Sequence, residues 1–110
     1  MSKQITFSYN GKDYALEFTR RTIRQMEDRG FNIQEVSEKP MTLLPDFFAG
    51  SFLANHKNVK RELIDEIYEN MPNKDKLIEK LVEMYNEPIA ALMDEPEENS
   101  AKKVNWEASF

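Results

Sequence analysis

The chain opens on two strand-like runs, Ile5-Thr6-Phe7-Ser8-Tyr9 and Lys12 to Phe18, separated only by Asn10-Gly11, and everything after them carries helical periodicity. Asn-Gly suits a two-residue type I′ turn because both central positions need positive φ, which glycine adopts freely and asparagine tolerates. With those two residues as the loop, Tyr9 faces Lys12, Phe7 faces Tyr14 and Ile5 faces Leu16. Alternate apolar residues of both strands then share one face, and that face needs a cover. The order of elements predicts an α+β domain, mainly α, with an N-terminal β-hairpin packed on a bundle of about four helices.

Thr19 is placed to cap a helix from Arg20 to Arg29, which Gly30 ends in the left-handed conformation, with Phe31 folding back on Ile23 or Met26. Asn32 and Glu35 have capping-box spacing, so a short turn is expected over 33–37, broken by Lys39-Pro40. A second helix is expected to start after Thr42 and run to about Asn55. It tolerates Pro45 in its first turn, and as the most apolar segment it should lie at the centre. Asn58 and Glu62 frame a third helix with the stripe Leu63, Ile64, Ile67, Tyr68 and Met71. After Pro72-Asn73 a last helix repeats that pattern with Leu77, Ile78, Leu81, Val82 and Tyr85, and the two are expected to pack antiparallel. Pro88 either kinks this last helix or begins a new short one.

At 110 residues the sequence fits one domain, expected over 1–94, followed by a flexible acidic tail over 95–110 that carries Trp106 and Phe110. The tail is read either as a disordered end or as a tethered apolar anchor. Without cysteine there is neither disulfide nor thiolate chemistry. Met1-Ser2-Lys3-Gln4 leads straight into a strand, and no run approaches the roughly 18 apolar residues of a membrane span, so the expected location is the cytoplasm, without membrane contact. A net charge of −5 works against nucleic-acid binding.

Catalytic signatures are missing from the pattern. His56 is the single histidine, flanked by Asn55 and Lys57, with no nucleophile elbow, and it is read as structural. Carboxylate pairs such as Glu62 with Glu66 are expected by chance among 20 acidic residues. Only three glycines are present, no phosphate-cradling loop appears, and no cofactor or metal site is expected. Arg20, Arg21, Arg24 and Arg29 fall on the first helix beside Glu27 and Asp28. An Arg24–Asp28 pair at i+4 would make this a salt-bridged solvent face rather than a nucleic-acid surface.

The run Ile5 to Tyr14 with its Asn-Gly-Lys-x-Tyr turn, the following Arg-rich helix, the two amphipathic helices and the acidic end with Asn105-Trp106-Glu107 resemble the small tail assembly chaperones of long-tailed phages and prophages. The resemblance implies a non-enzymatic protein of the bacterial host cytoplasm that binds the tape measure protein and tail tube protein before assembly. It also implies possible homo-oligomers. Client helices would dock against apolar faces, and the candidates are Phe47, Phe48 and Phe52, or Tyr68, Met71 and Tyr85, with Trp106 and Phe110 in the tail. The helix residues serve either as that surface or as the core. An alternative class is a small acidic phage regulator of a host protein or nucleic-acid enzyme.

Overall fold

A computed structural model describes residues 3–94, 102 and 104–110. Strands β1 (Ile5–Tyr9) and β2 (Lys12–Leu16) form an antiparallel pair in which Ile5 faces Leu16, Phe7 faces Tyr14 and Tyr9 faces Lys12. Asn10 and Gly11 take φ of 49° and 79°, as the type I′ turn requires. Ser8 donates across the turn to the Asp13 carboxylate. Helices α1 (Arg20–Asp28), α2 (Pro40–Gly50), α3 (Arg61–Asn70) and α4 (Lys74–Ala91) follow, with a short 3-10 turn over Ile33–Glu35. The architecture is therefore α+β and mainly α.

Local chemistry sets each boundary. Thr19 caps α1 by accepting from the Thr22 N–H at 3.1 Å, while the Thr22 hydroxyl accepts from the Thr19 N–H at 2.9 Å. Gly30 stands at φ 93°, its N–H reaches the Glu27 carbonyl and the Phe31 N–H reaches the Met26 carbonyl, which together form a Schellman end. The Phe31 ring stacks on Phe47 and meets Tyr85 edge-on, so it turns toward α2 and α4.

Three boundaries differ from expectation. Helix α2 begins at Pro40 rather than after Thr42, because proline at the first helical position gives up only a donor that has no partner there. That places Pro45 inside the helix, where the carbonyl of Met41 loses its donor at an exposed position. The α-helix stops at Gly50, and the chain continues to Asn55 through tighter turns in which Ser51, Phe52 and Leu53 donate three residues back. Helix α3 starts at Arg61 without a side-chain cap; the Arg61 guanidinium instead reaches Asp46 of α2 at 2.7 Å and Asp65 at 2.9 Å. Burial works against the Arg61 charge, and its hydrogen bonds to the two carboxylates outweigh that cost and raise its pKa. Pro88 lies within one continuous α4.

Two aromatic groups fill the core, and α2 feeds both. Phe47 joins Phe18, Phe31 and Tyr85, with ring centroids 5.3–5.7 Å from Phe47. Phe48 and Phe52 join Tyr14 and Tyr68, with Phe7 stacked on Tyr14. Leu16, Ile67 and Leu81 add fully buried aliphatic side chains from β2, α3 and α4. The closest helix packing is of α2 against α3 and α1, and of α1 against α4. Helix α2 is thus central, as its composition predicts. The α3–α4 pair, expected to pack antiparallel, is not among the closest contacts, and α4 instead leans on α1.

Candidate functional site

The structure divides the residues singled out in the sequence. Phe47, Phe48, Phe52 and Tyr85 are at most 1% exposed, so they belong to the core and offer nothing to a partner in this conformation. Their strong apolar periodicity reports burial within the fold. Tyr68 and Met71 are half-buried at the edge of the core, with the Tyr68 ring against Phe48. The Lys74 ammonium lies 5.6 Å from the Tyr68 ring centre and donates to the Glu69 and Met71 carbonyls at the end of α3. Met71 lines a groove of about 390 Å³ with Ile5, Phe7, Ile67 and Leu77, flanked by Lys76 and Lys80. The single face expected from Tyr68, Met71 and Tyr85 does not form. Trp106, 82% exposed, and Phe110 stand in solvent together with Val104. Of the acidic tail expected over 95–110, residues 95–101 and 103 lie outside the described residues.

The stripe read on the last helix as far as Tyr85 continues at the surface through Ile89 into the turn that ends α4. Val82, Ile89, Leu92 and Met93 are exposed, and Ile78 is half-buried. Ile78, Val82, Tyr85, Ile89 and Leu92 follow one another at alternating four- and three-residue steps, the spacing of a seam between two helices. Leu77, Leu81 and Met84 form the neighbouring, buried face. Helix α4 therefore carries a wider apolar arc than this fold covers. The seven-residue phasing was the available signal, and Tyr85 obscured it by belonging to both arcs.

His56 holds a structural position. The Ala15 N–H donates to its Nε2 at 3.0 Å, and its ring lies edge-on to Tyr14 and Phe52. Asn55 donates to the Ala15 carbonyl at 3.0 Å and to Glu17 at 2.9 Å. Both serve the open side of β2. The expected Arg24–Asp28 pair is not formed. Among the described residues the ion pairs are Glu35–Lys39, Asp46–Arg61–Asp65 and Lys80–Glu83, none of which involves an arginine of α1. Arg21 and Arg29 instead line a concavity between α1 and the 53–60 segment. Among the described residues no group of three or more His, Asp or Glu is placed to hold a metal ion, and no helix is long and apolar enough to cross a membrane.

A two-stranded hairpin laid on four helices, with an apolar stripe left exposed, defines a small α+β domain. The family model described as a domain of unknown function, DUF5055, matches residues 1–110, and the chain belongs to that family. No curated protein and no solved structure matches it.

Proposed function

We propose that the chain is a non-catalytic tail assembly chaperone of a long-tailed phage or prophage, acting in the bacterial cytoplasm on the tape measure and tail tube proteins. One observation carries the reading: save for Met41, every large apolar side chain left exposed among the described residues lies on α4, in the turn that ends it or in the 104–110 segment. A domain that closes its core and still presents Val82 and Ile89 on α4 and Leu92 and Met93 in the turn that ends it, followed by Val104, Trp106 and Phe110, suits the capture of apolar helices that would otherwise aggregate. A client helix would lie along the seam of α4, and the aromatic segment beyond it would close over the contact. The same stripe suits pairing between copies of the chain. The net charge of −5 keeps such a complex soluble.

The test is co-expression of the tagged chain with the tape measure and tail tube proteins, followed by capture and comparison of soluble client. The full chain should retain both clients. V82E with I89E, and truncation after Asp94, should each lose capture while the isolated protein keeps its unfolding midpoint. Equal capture by all three forms would overturn the reading.

A further inference from the structure

A concavity of about 990 Å³ opens between α1 and the 53–60 segment, and it has a chemistry of its own. Five cationic side chains, those of Lys12, Arg21, Arg29, Lys57 and Lys60, line it, and no Asp or Glu does. This is notable in a chain with 20 acidic and 15 basic residues. None of the five takes part in an ion pair among the described residues, although Glu27 and Asp28 share α1 with Arg21 and directly precede Arg29. Like charges gathered without counter-charges repel one another, so the unliganded arrangement has an electrostatic cost that a multivalent anion would remove.

The remaining lining selects among anions. Neither Gly11, Gly30 nor Gly50 lines the concavity, so no glycine loop lets backbone N–H groups wrap one phosphate. The volume is that of a ligand far larger than a single phosphate. Arg21 and Arg29 stand eight residues apart, roughly 12 Å along the helix at 1.5 Å per residue, so the charges are spread along a trough. No Phe, Tyr or Trp lines it, and its one aromatic ring, His56, is tied to the Ala15 N–H and packed edge-on against Tyr14 and Phe52, so there is no row of free rings for successive bases of a single strand to stack on. Leu53, Val59 and Leu63 supply half-buried aliphatic surface in its place, and Gln25 and Asn58 supply amides.

We propose that this concavity is a docking site for an acidic peptide segment of a partner protein, in which Asp or Glu residues alternate with aliphatic ones. The carboxylates lie on the arginines and lysines, and the aliphatic side chains on Leu53, Val59 and Leu63. No residue of α4 lines the concavity, so the proposal is independent of the seam assigned to apolar clients.

Fluorescence anisotropy on the full chain tests it, with a labelled peptide of alternating Glu and Leu as probe and a labelled oligothymidylate of equal charge as comparator. The peptide should bind, and its affinity should fall as salt rises. R21E with R29E should weaken it about tenfold or more, since each lost charge-assisted contact is a sizeable fraction of such an interaction. R21Q with R29Q should show a smaller loss of the same sign. K76E with K80E, which changes the net charge equally but at the distant groove, should leave peptide affinity unchanged. Unfolding midpoints of all variants establish that the fold is intact. Failure of the peptide to bind at low salt, tighter binding of the oligonucleotide, or an equal loss in K76E with K80E would each overturn the proposal.

Discussion

The Ala15 N–H donates to His56 Nε2 at 3.0 Å, across 41 positions of sequence. In an antiparallel pair the residues alternate between bonding across the ladder and pointing outward. Ala15 points outward, so β2 would present an open edge if nothing met it. The turn-rich stretch after α2 supplies the partners: His56 accepts from Ala15, Asn55 donates to the Ala15 carbonyl, and the Ser51 carbonyl accepts from the Glu17 N–H at 3.1 Å. A short loop thereby closes a sheet edge that would otherwise template association.

His56→Ala removes an acceptor from a part-buried N–H together with two ring contacts. It should destabilise the protein by about 1–2 kcal/mol, read as a fall in urea midpoint without change in slope. His56→Gln, which can offer a carbonyl oxygen to the same N–H, should recover part of that loss. An unchanged midpoint in His56→Ala would show that the edge does not depend on this bond.

Gly30 tests the helix end separately. Its φ of 93° is strained for any L side chain, yet a Cβ there would meet nothing within 4 Å. Gly30→Ala should therefore cost about 1 kcal/mol from backbone conformation alone, and Gly30→Asn less, because asparagine tolerates this region better. Equal stability of the alanine variant, measured by thermal unfolding, would mean that α1 can end another way.

Much of the fold was legible because its signals are local. Asn10-Gly11 fixed the turn and hence the register of every facing pair; Thr19 and Gly30 marked the ends of α1; the phenylalanines of α2 marked the centre. Helix boundaries that depend on tertiary partners were not legible. Arg61 holds the start of α3 through Asp46, fifteen residues earlier, and no spacing rule contains that contact. The exposed apolar stripe was the least legible part. A phenylalanine-rich helix and a helix with a broad apolar arc look alike in sequence. Only packing shows that Phe47 is enclosed by Phe18, Phe31 and Tyr85 while Val82 and Ile89 are left outside. The arginines of α1 misled for a related reason: i+4 spacing permits the Arg24–Asp28 pair but does not require it, and a weak exposed pair is easily forgone.

That division between core and surface aromatics can be measured. Phe47→Ala empties a site with no solvent exposure and three aromatic neighbours, and it should cost about 3–5 kcal/mol. Trp106→Ala and Phe110→Ala, at positions already in solvent, should leave the urea midpoint within about 0.5 kcal/mol of the parent. A large destabilisation by either tail substitution would show that the segment packs on the domain in solution.

Alkaline pH probes the tyrosines. Burial raises the Tyr68 and Tyr85 hydroxyls above their ordinary value, with the Glu27 charge adding to the effect at Tyr85. At Tyr9 the principal cause is its hydrogen bond to Glu66, made at 2.7 Å. A raised folded pKa means that the fold favours the neutral, protonated phenol. Below the ordinary tyrosine value of about 10 both folded and unfolded chains are protonated, and the contribution is fully present. As pH rises past 10 the unfolded chain releases these protons first, so it binds fewer than the native state and stability falls through the folded pKa values. Urea midpoints taken at successive pH values from about 9 upward should therefore decline. The decline should be shallower in a variant carrying Tyr68→Phe and Tyr85→Phe, since phenylalanine keeps the rings packed and has no proton to lose. All other side chains are common to both proteins, so the difference between the two slopes isolates the tyrosines. Identical slopes would mean that the two hydroxyls meet water as freely in the folded chain as in the unfolded one, contrary to the 1% exposure of Tyr85.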